Sequence, residues 1–346
     1  MLIALGLLAG LALVVLGAEL LVRGASAAAA GLGVPPLLVG LTVVAYGTSA
    51  PELAVSLSAG LTGRPELALA NVVGSNVFNV LAIVGLCALF TPLVVGEQVV
   101  RREIPLMLLA TVGAMALAAD GRIGRGDGAL LLAGLAWLTL ASVRATRAPS
   151  SASRPRPAAA ALLRSAGLVA VGLALLVLGA RWLVGAASAL AAALGVSELV
   201  IGLTIVAVGT SVPELATSFV AIVRGQRDLA IGNVVGSNVF NLLGILGSSA
   251  AATAGGLLVA RQVQALDAWV MLGAAVLLLP MAWTGRAIVR WEGAVLLAGY
   301  LAYLAAVVRI ALGAWPVPTP AVGAAAVAVP VALVLLAGAV AGRRPR

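Results

Sequence analysis

The chain has 346 residues, is 62% hydrophobic and only 10% charged, and has a mean hydropathy of +1.17, a composition that leaves too little polar surface for a water-soluble fold and predicts an all-α polytopic membrane protein in a lipid bilayer. The net charge of +9 comes from arginine alone. With no His, no Lys and a single cysteine, Cys87, the sequence excludes a Ser–His hydrolase, a His-ligated metal, a Walker A loop and an intrachain disulfide. No basic stretch is interleaved with aromatics, so nucleic acid is excluded as a partner.

The first apolar stretch, 2–22, lacks a basic leading region and runs too far for a cleaved signal, so it predicts a first span. Four more follow at 36–60, 66–90, 104–119 and 128–145. The Pro-, Ser- and Arg-rich segment 146–161 reads as a polar linker. Five further spans are predicted at 162–187, 197–223, 229–253, 264–283 and 291–311, and an eleventh near 321–341.

The two groups of five repeat each other. At an offset of 162, residues 40–85 and 202–247 are identical at 29 of 46 positions, and GLGV at 31–34 returns as ALGV at 193–196. The chain therefore divides into a first repeat over 1–145 with its motif region at 40–86, the linker, and a second repeat over 162–312 with its motif region at 202–248. Residues 313–346 add the eleventh span and a basic tail. An odd number of spans per copy forces the second copy to enter the membrane from the opposite side, which predicts two inverted five-helix repeats. With the linker placed inside, fifteen arginines fall on inside positions and five on outside ones, among them Arg64 and Arg122. The positive-inside rule then puts the N-terminus outside and the C-terminus in the cytoplasm.

Of the acidic residues, Glu66, Glu97, Glu103, Asp120, Asp127, Asp228, Asp267 and Glu292 are expected in solvated loops or span ends. Glu198 is expected at an interface. Glu19 has Arg23 one turn away, a spacing that predicts pairing. Glu52 and Glu214 differ, because each sits deep in an apolar run with no cation within two turns. A carboxylate in the bilayer costs about 2.5–3.5 kcal/mol on insertion scales and is expected where it serves a site or pathway.

The neighbours of these two residues supply oxygen. In GTSAPEL, Ala45, Thr48 and Glu52 share a helical face with Ser49 adjacent, Pro51 deprives the Gly47 carbonyl of its helical partner, and Gly47 is expected to let the backbone unwind. GTSVPEL repeats the pattern at Gly209, Thr210, Ser211, Pro213 and Glu214. The next span carries NVVGSNVFN twice, at 71–79 and 233–241. Ser75 with Asn79, and Ser237 with Asn241, each lie on one face, while Gly74 and Gly236 permit close helix approach. Hydroxyls, carbonyls and two carboxylates suit a dehydrated hard cation: one Ca²⁺ with roughly 6–8 oxygens, or several Na⁺.

The paired GTSAPEL/GTSVPEL and GSNVFN/GSNVFN motifs resemble those of the calcium/cation antiporter superfamily, in particular prokaryotic sodium/calcium exchangers. The resemblance covers ten of the eleven spans. It implies a ten-helix core in which the second, third, seventh and eighth spans surround the ions, and exchange of about three Na⁺ for one Ca²⁺. By position it implies Ca²⁺ ligands at Glu52, Glu214 and the carbonyls of Thr48 and Thr210, with Na⁺ sites adding Ala45, Ser49, Ser75, Ala207, Ser211 and Ser237. Asn79 and Asn241 match the family's central polar pair. Asn rather than Asp at 241 argues against K⁺ dependence, and the linker is too short for a regulatory Ca²⁺ domain. The expected protein is a Na⁺/Ca²⁺ antiporter of a bacterial inner membrane, with no cofactor and no obligatory protein partner. A Ca²⁺/H⁺ antiporter is the alternative. A passive channel fits inverted repeats less well, and an intramembrane enzyme has no base beside Ser49 or Ser211.

Overall fold

The computed structural model describes residues 2–146 and 159–340. Most of the expected linker and the basic tail lie outside the described residues. Among the described residues, and apart from a short 3-10 turn at Thr284–Arg286, thirteen helices run in chain order: α1 Leu2–Leu32, α2 Pro36–Thr48, α3 Ala50–Leu61, α4 Pro65–Phe90, α5 99–117, α6 Arg125–Thr146, α7 Ala159–Ala193, α8 198–209, α9 Val212–Val223, α10 Arg227–Ala252, α11 263–283, α12 Arg290–Ala311 and α13 Pro320–Val340. Six are long and apolar enough to cross a membrane, or seven when the bent pair α2–α3 is taken as one span.

α1 and α7 run well past the ends expected for them at 22 and 187. Their Ala-rich continuations are strong helix formers. They stop only where Gly33 and Gly195 adopt φ of 67° and 83°, the left-handed conformation that ends a helix at little cost with glycine. The expected second span is instead two helices, bent by 46° between α2 and α3.

The local pattern recurs at the sequence offset. A wide π-helical turn at Gly40–Val44 returns at Gly202–Val206, and α3 at Ala50–Leu61 returns as α9 at Val212–Val223. Besides the helices, the described residues include four two-residue strands, β1 Leu93–Val94, β2 Arg122–Ile123, β3 Leu257–Leu258 and β4 Ala287–Ile288. β1 pairs antiparallel with β4 and β2 with β3. The fold is nearly all helical, as expected; two residues are too few to show a period of two in an apolar sequence.

The chain forms two compact units, each drawing on both halves of the sequence: Met1–Pro51 with Gly134–Ser237, and Glu52–Ala133 with Asn238–Arg346. In the first, α1 lies along α7. Gly10 meets Gly179, Gly17 meets Gly172 and Gly24 meets Ser165, so the two helices run antiparallel, as an inverted second copy requires. Lipid is as apolar as a leucine side chain, and helix association in it relies on close backbone approach at small residues. In the second unit Gly85 meets Gly293 on α12, and Gly128 meets Gly247, joining α6 to α10. α13 packs on α11, where Gly273 and Gly323 allow close approach.

These contacts predict a graded cost. A Cβ at Gly17 would stand 2.7 Å from the Leu176 amide nitrogen and 2.8 Å from the Gly172 carbonyl oxygen, whereas one at Gly167 meets nothing within 4 Å. Gly17→Val should lower the stability of the purified protein by about 1–3 kcal/mol through overpacking, more than the few tenths gained in helix propensity. Gly167→Ala should not lower the melting temperature and should raise it slightly through helix propensity. Equal melting temperatures for the two variants would refute the backbone-contact account of the α1–α7 crossing.

Candidate cation site

The second helical break falls on Ser211, which has φ −92° and ψ 8°, and its counterpart Ser49 has −80° and 9°. Gly47 and Gly209 remain helical. This corrects the expectation that Gly47 unwinds the chain. A Cβ at Gly47 would stand 2.7 Å from Leu173, and Gly209 faces Val184, so both glycines are spacers against α7. Pro51 and Pro213 sit in the first turn of α3 and α9, where a missing N–H costs nothing, and the glutamates follow at once. A carboxylate in a helix's first turn also complements the positive end of its dipole.

In the first unit, Ser49, Thr48 and Glu214 come together from two distant parts of the sequence. The Ser49 hydroxyl donates to Glu214 Oε1 at 2.7 Å, while Oε2 is buried with no hydrogen-bond partner among the described residues. The Thr48 hydroxyl lies 3.3 Å from both the Ala45 carbonyl and Asn233 Oδ1, so its one proton serves either. Thr48, Ser49, Ser211, Glu214 and Ser237 are buried, with Glu214 at 1% exposure. The hydroxyls of Thr210 and Ser237 are buried without a partner among the described residues. Ala45 is buried and Ala207 exposed, an inequality the sequence does not show.

In the second unit, Glu52 is 1% exposed and Ser75, Asn79 and Asn241 are buried. Asn79 Nδ2 donates to Asn238 Oδ1 at 3.3 Å. Ser75 Oγ, Asn79 Oδ1 and both amide atoms of Asn241 have no partner among the described residues. Buried polar atoms are nearly always paired, so a concentration of unpaired ones on the predicted residues marks where polar partners from outside the protein would enter. Among the described residues no three of His, Cys, Asp and Glu cluster. The buried hydroxyl, amide and carbonyl oxygens beside the carboxylates are the donor set of hard cations.

The family assignment follows from likeness over nearly the whole chain. The sodium/calcium exchanger protein family matches residues 2–143 and 164–309. The chain belongs to that family. It is 39% identical over 258 residues to the inner membrane protein YrbG of Escherichia coli, covering 72% of this chain and 79% of that protein. It is 38% identical over 308 residues to CaxA of Alkalimonas amylolytica, covering 86% and 95%. A solved structure of the sodium-calcium exchanger NCX_Mj superposes with a TM-score of 0.79 at 29% identity, covering 88% of this chain and 98% of that one. The protein is thus a cation antiporter of a transporter family rather than an enzyme, and α13 lies beyond the stretch the family matches.

Several acids depart from their sequence reading. Glu103, Asp267 and Glu292 are buried at 5%, 6% and 3% exposure rather than solvated. Each has a partner close in sequence: Gln98 Nε2 donates to Glu103 at 2.9 Å, Gln262 Nε2 to Asp267 at 3.5 Å, and the Val289 amide to Glu292 at 2.8 Å. Glu19 pairs with Arg23 as expected and also accepts from Arg224 Nε at 3.0 Å. The sequence reading missed Asn71 and Asn233, the first residues of the twin NVVGSNVFN stretches. Their only signal was repetition.

Proposed function

We propose that this antiporter exchanges Na⁺ for Ca²⁺ in a bacterial inner membrane, with Glu52 and Glu214 neutralising the same divalent ion. The observation that carries this reading is the set of buried oxygens without partners around the repeated Thr-Ser-x-Pro-Glu turns, Glu214 Oε2 and Ser237 Oγ among them. Thr48 and Thr210 contribute backbone carbonyls to Ca²⁺. Ala45, Ala207, Ser49, Ser211, Ser75 and Ser237 contribute to Na⁺, and Asn79 and Asn241 line the centre. The same oxygens serve either ion set, so occupancy is mutually exclusive. An empty pair of carboxylates resists crossing a low-dielectric barrier, which couples the two fluxes. Three Na⁺ for one Ca²⁺ would move net charge. The arginine distribution supports an outside N-terminus and a cytoplasmic C-terminus.

The driving ion is tested with ⁴⁵Ca²⁺ uptake into proteoliposomes under an imposed Na⁺ gradient, an imposed pH gradient, or neither. Uptake should follow the Na⁺ gradient. Uptake driven by the pH gradient alone would replace Na⁺ with H⁺ as the coupling ion, and equally fast uptake without any gradient would indicate a channel.

The carboxylates are tested by Glu52→Gln and Glu214→Gln, which keep shape and remove charge. Each should reduce exchange to background, and wild-type rates in either variant would overturn its role.

Binding is tested without transport. Ca²⁺ at about a hundred times its dissociation constant should stabilise the folded wild-type protein by about 2.7 kcal/mol through mass action, seen as a rise in melting temperature. Glu214→Gln should lose most of that rise. An equal rise in the variant would place Ca²⁺ elsewhere.

A further inference from the structure

The two asparagines that open NVVGSNVFN make the same pair of bonds in two separate places. Asn233 Nδ2 donates to the Glu214 carbonyl at 3.3 Å and to Ser218 Oγ at 2.9 Å. Asn71 Nδ2 donates to the Glu52 carbonyl at 3.2 Å and to Ser56 Oγ at 2.9 Å. Glutamate and serine are four residues apart in each case, so a carbonyl and a hydroxyl lie on one helix face, where the two N–H groups of one amide reach both. The chain has just broken at Ser49 or Ser211, so the short helix bearing the glutamate is no longer continuous with the helix before it. An amide that fixes the glutamate's own backbone restores what the break removed.

The amide oxygen of Asn233 does something more. It faces the Thr48 hydroxyl at 3.3 Å, tying α10 to α2. The same two helices touch backbone to backbone: a Cβ at Gly40 would stand 2.7 Å from the Leu229 carbonyl oxygen, and one at Gly236 2.6 Å from that of Leu41.

We propose that Asn71 and Asn233 are positioning residues for Glu52 and Glu214: each amide nitrogen holds the backbone of the short helix that carries its glutamate, so that the carboxylate is presented in one fixed orientation. The inference rests on the reading that these glutamates bind the transported cation.

The test uses the purified full-length protein and its Ca²⁺-dependent thermal shift. Absence of any such shift in the wild-type protein would fail the antiport reading, whereas an unchanged response in the asparagine variants would fail the clamp.

The clamp has its own readout in the Ca²⁺ concentration for half-maximal effect, taken from the thermal shift. Losing both bonds should raise it by about tenfold or more in Asn71→Ala and Asn233→Ala. Ser218→Ala should raise it less, and Ser218→Thr should restore it. A lowered melting temperature with unchanged half-maximal Ca²⁺ would reduce the asparagines to structural supports.

Discussion

The constraint on which the rest of the structure depends is the cost of holding a carboxylate inside a bilayer. Glu52 and Glu214 are each 1% exposed, and a lone buried charge is tolerated only with oriented dipoles and hydrogen bonds close by. The broken helix answers that need. Breaking at Ser49 and Ser211 starts a new helix whose first turn carries the glutamate, so the dipole and the freed polar groups lie where the charge does. The break creates a second problem, a short helix end free to wander, and the paired asparagine bonds to Glu52 and Glu214 solve it.

The second determinant is how helices meet without a hydrophobic drive between them. Glycine meets glycine or small residues where α1 crosses α7, where α4 crosses α12 and where α6 crosses α10. Such contacts are flat and contain few interlocking side chains, so separating one leaves little unpaired. The contact of Gly40 and Gly236 across α2 and α10 is of the same kind.

Much of this was legible in the sequence because it is local or repeated. The doubled motifs located both glutamates, and the proline beside each announced a break. The order of spans followed from apolar runs of sufficient length. What escaped depended on side-chain direction and distant partners. Gly47 looked like the hinge because glycine unwinds readily, yet Leu173 needs the space its missing Cβ leaves, and Ser49 takes the turn. Glu103 and Asp267 looked like loop charges because both lie near span starts, but glutamines five residues earlier shield them. Asn71 and Asn233 could be seen as repeated without being seen as clamps, since their partners lie nineteen residues back on another helix.

Repetition of the motif does not extend to its surroundings, and that difference bears on energetics. Glu19 on α1 joins both Arg23 and Arg224, the latter just past the end of α9. At the offset of 162, the counterpart of Glu19 is Arg181 and that of Arg224 is Thr62, so the second copy has no acid and base at these positions with which to build an equivalent strap. The arginines are about half exposed, and exposed pairs contribute at most about 1 kcal/mol each. The repeated motifs thus carry the same buried polar residues in both copies, while the ion pairs beside them differ from one copy to the other.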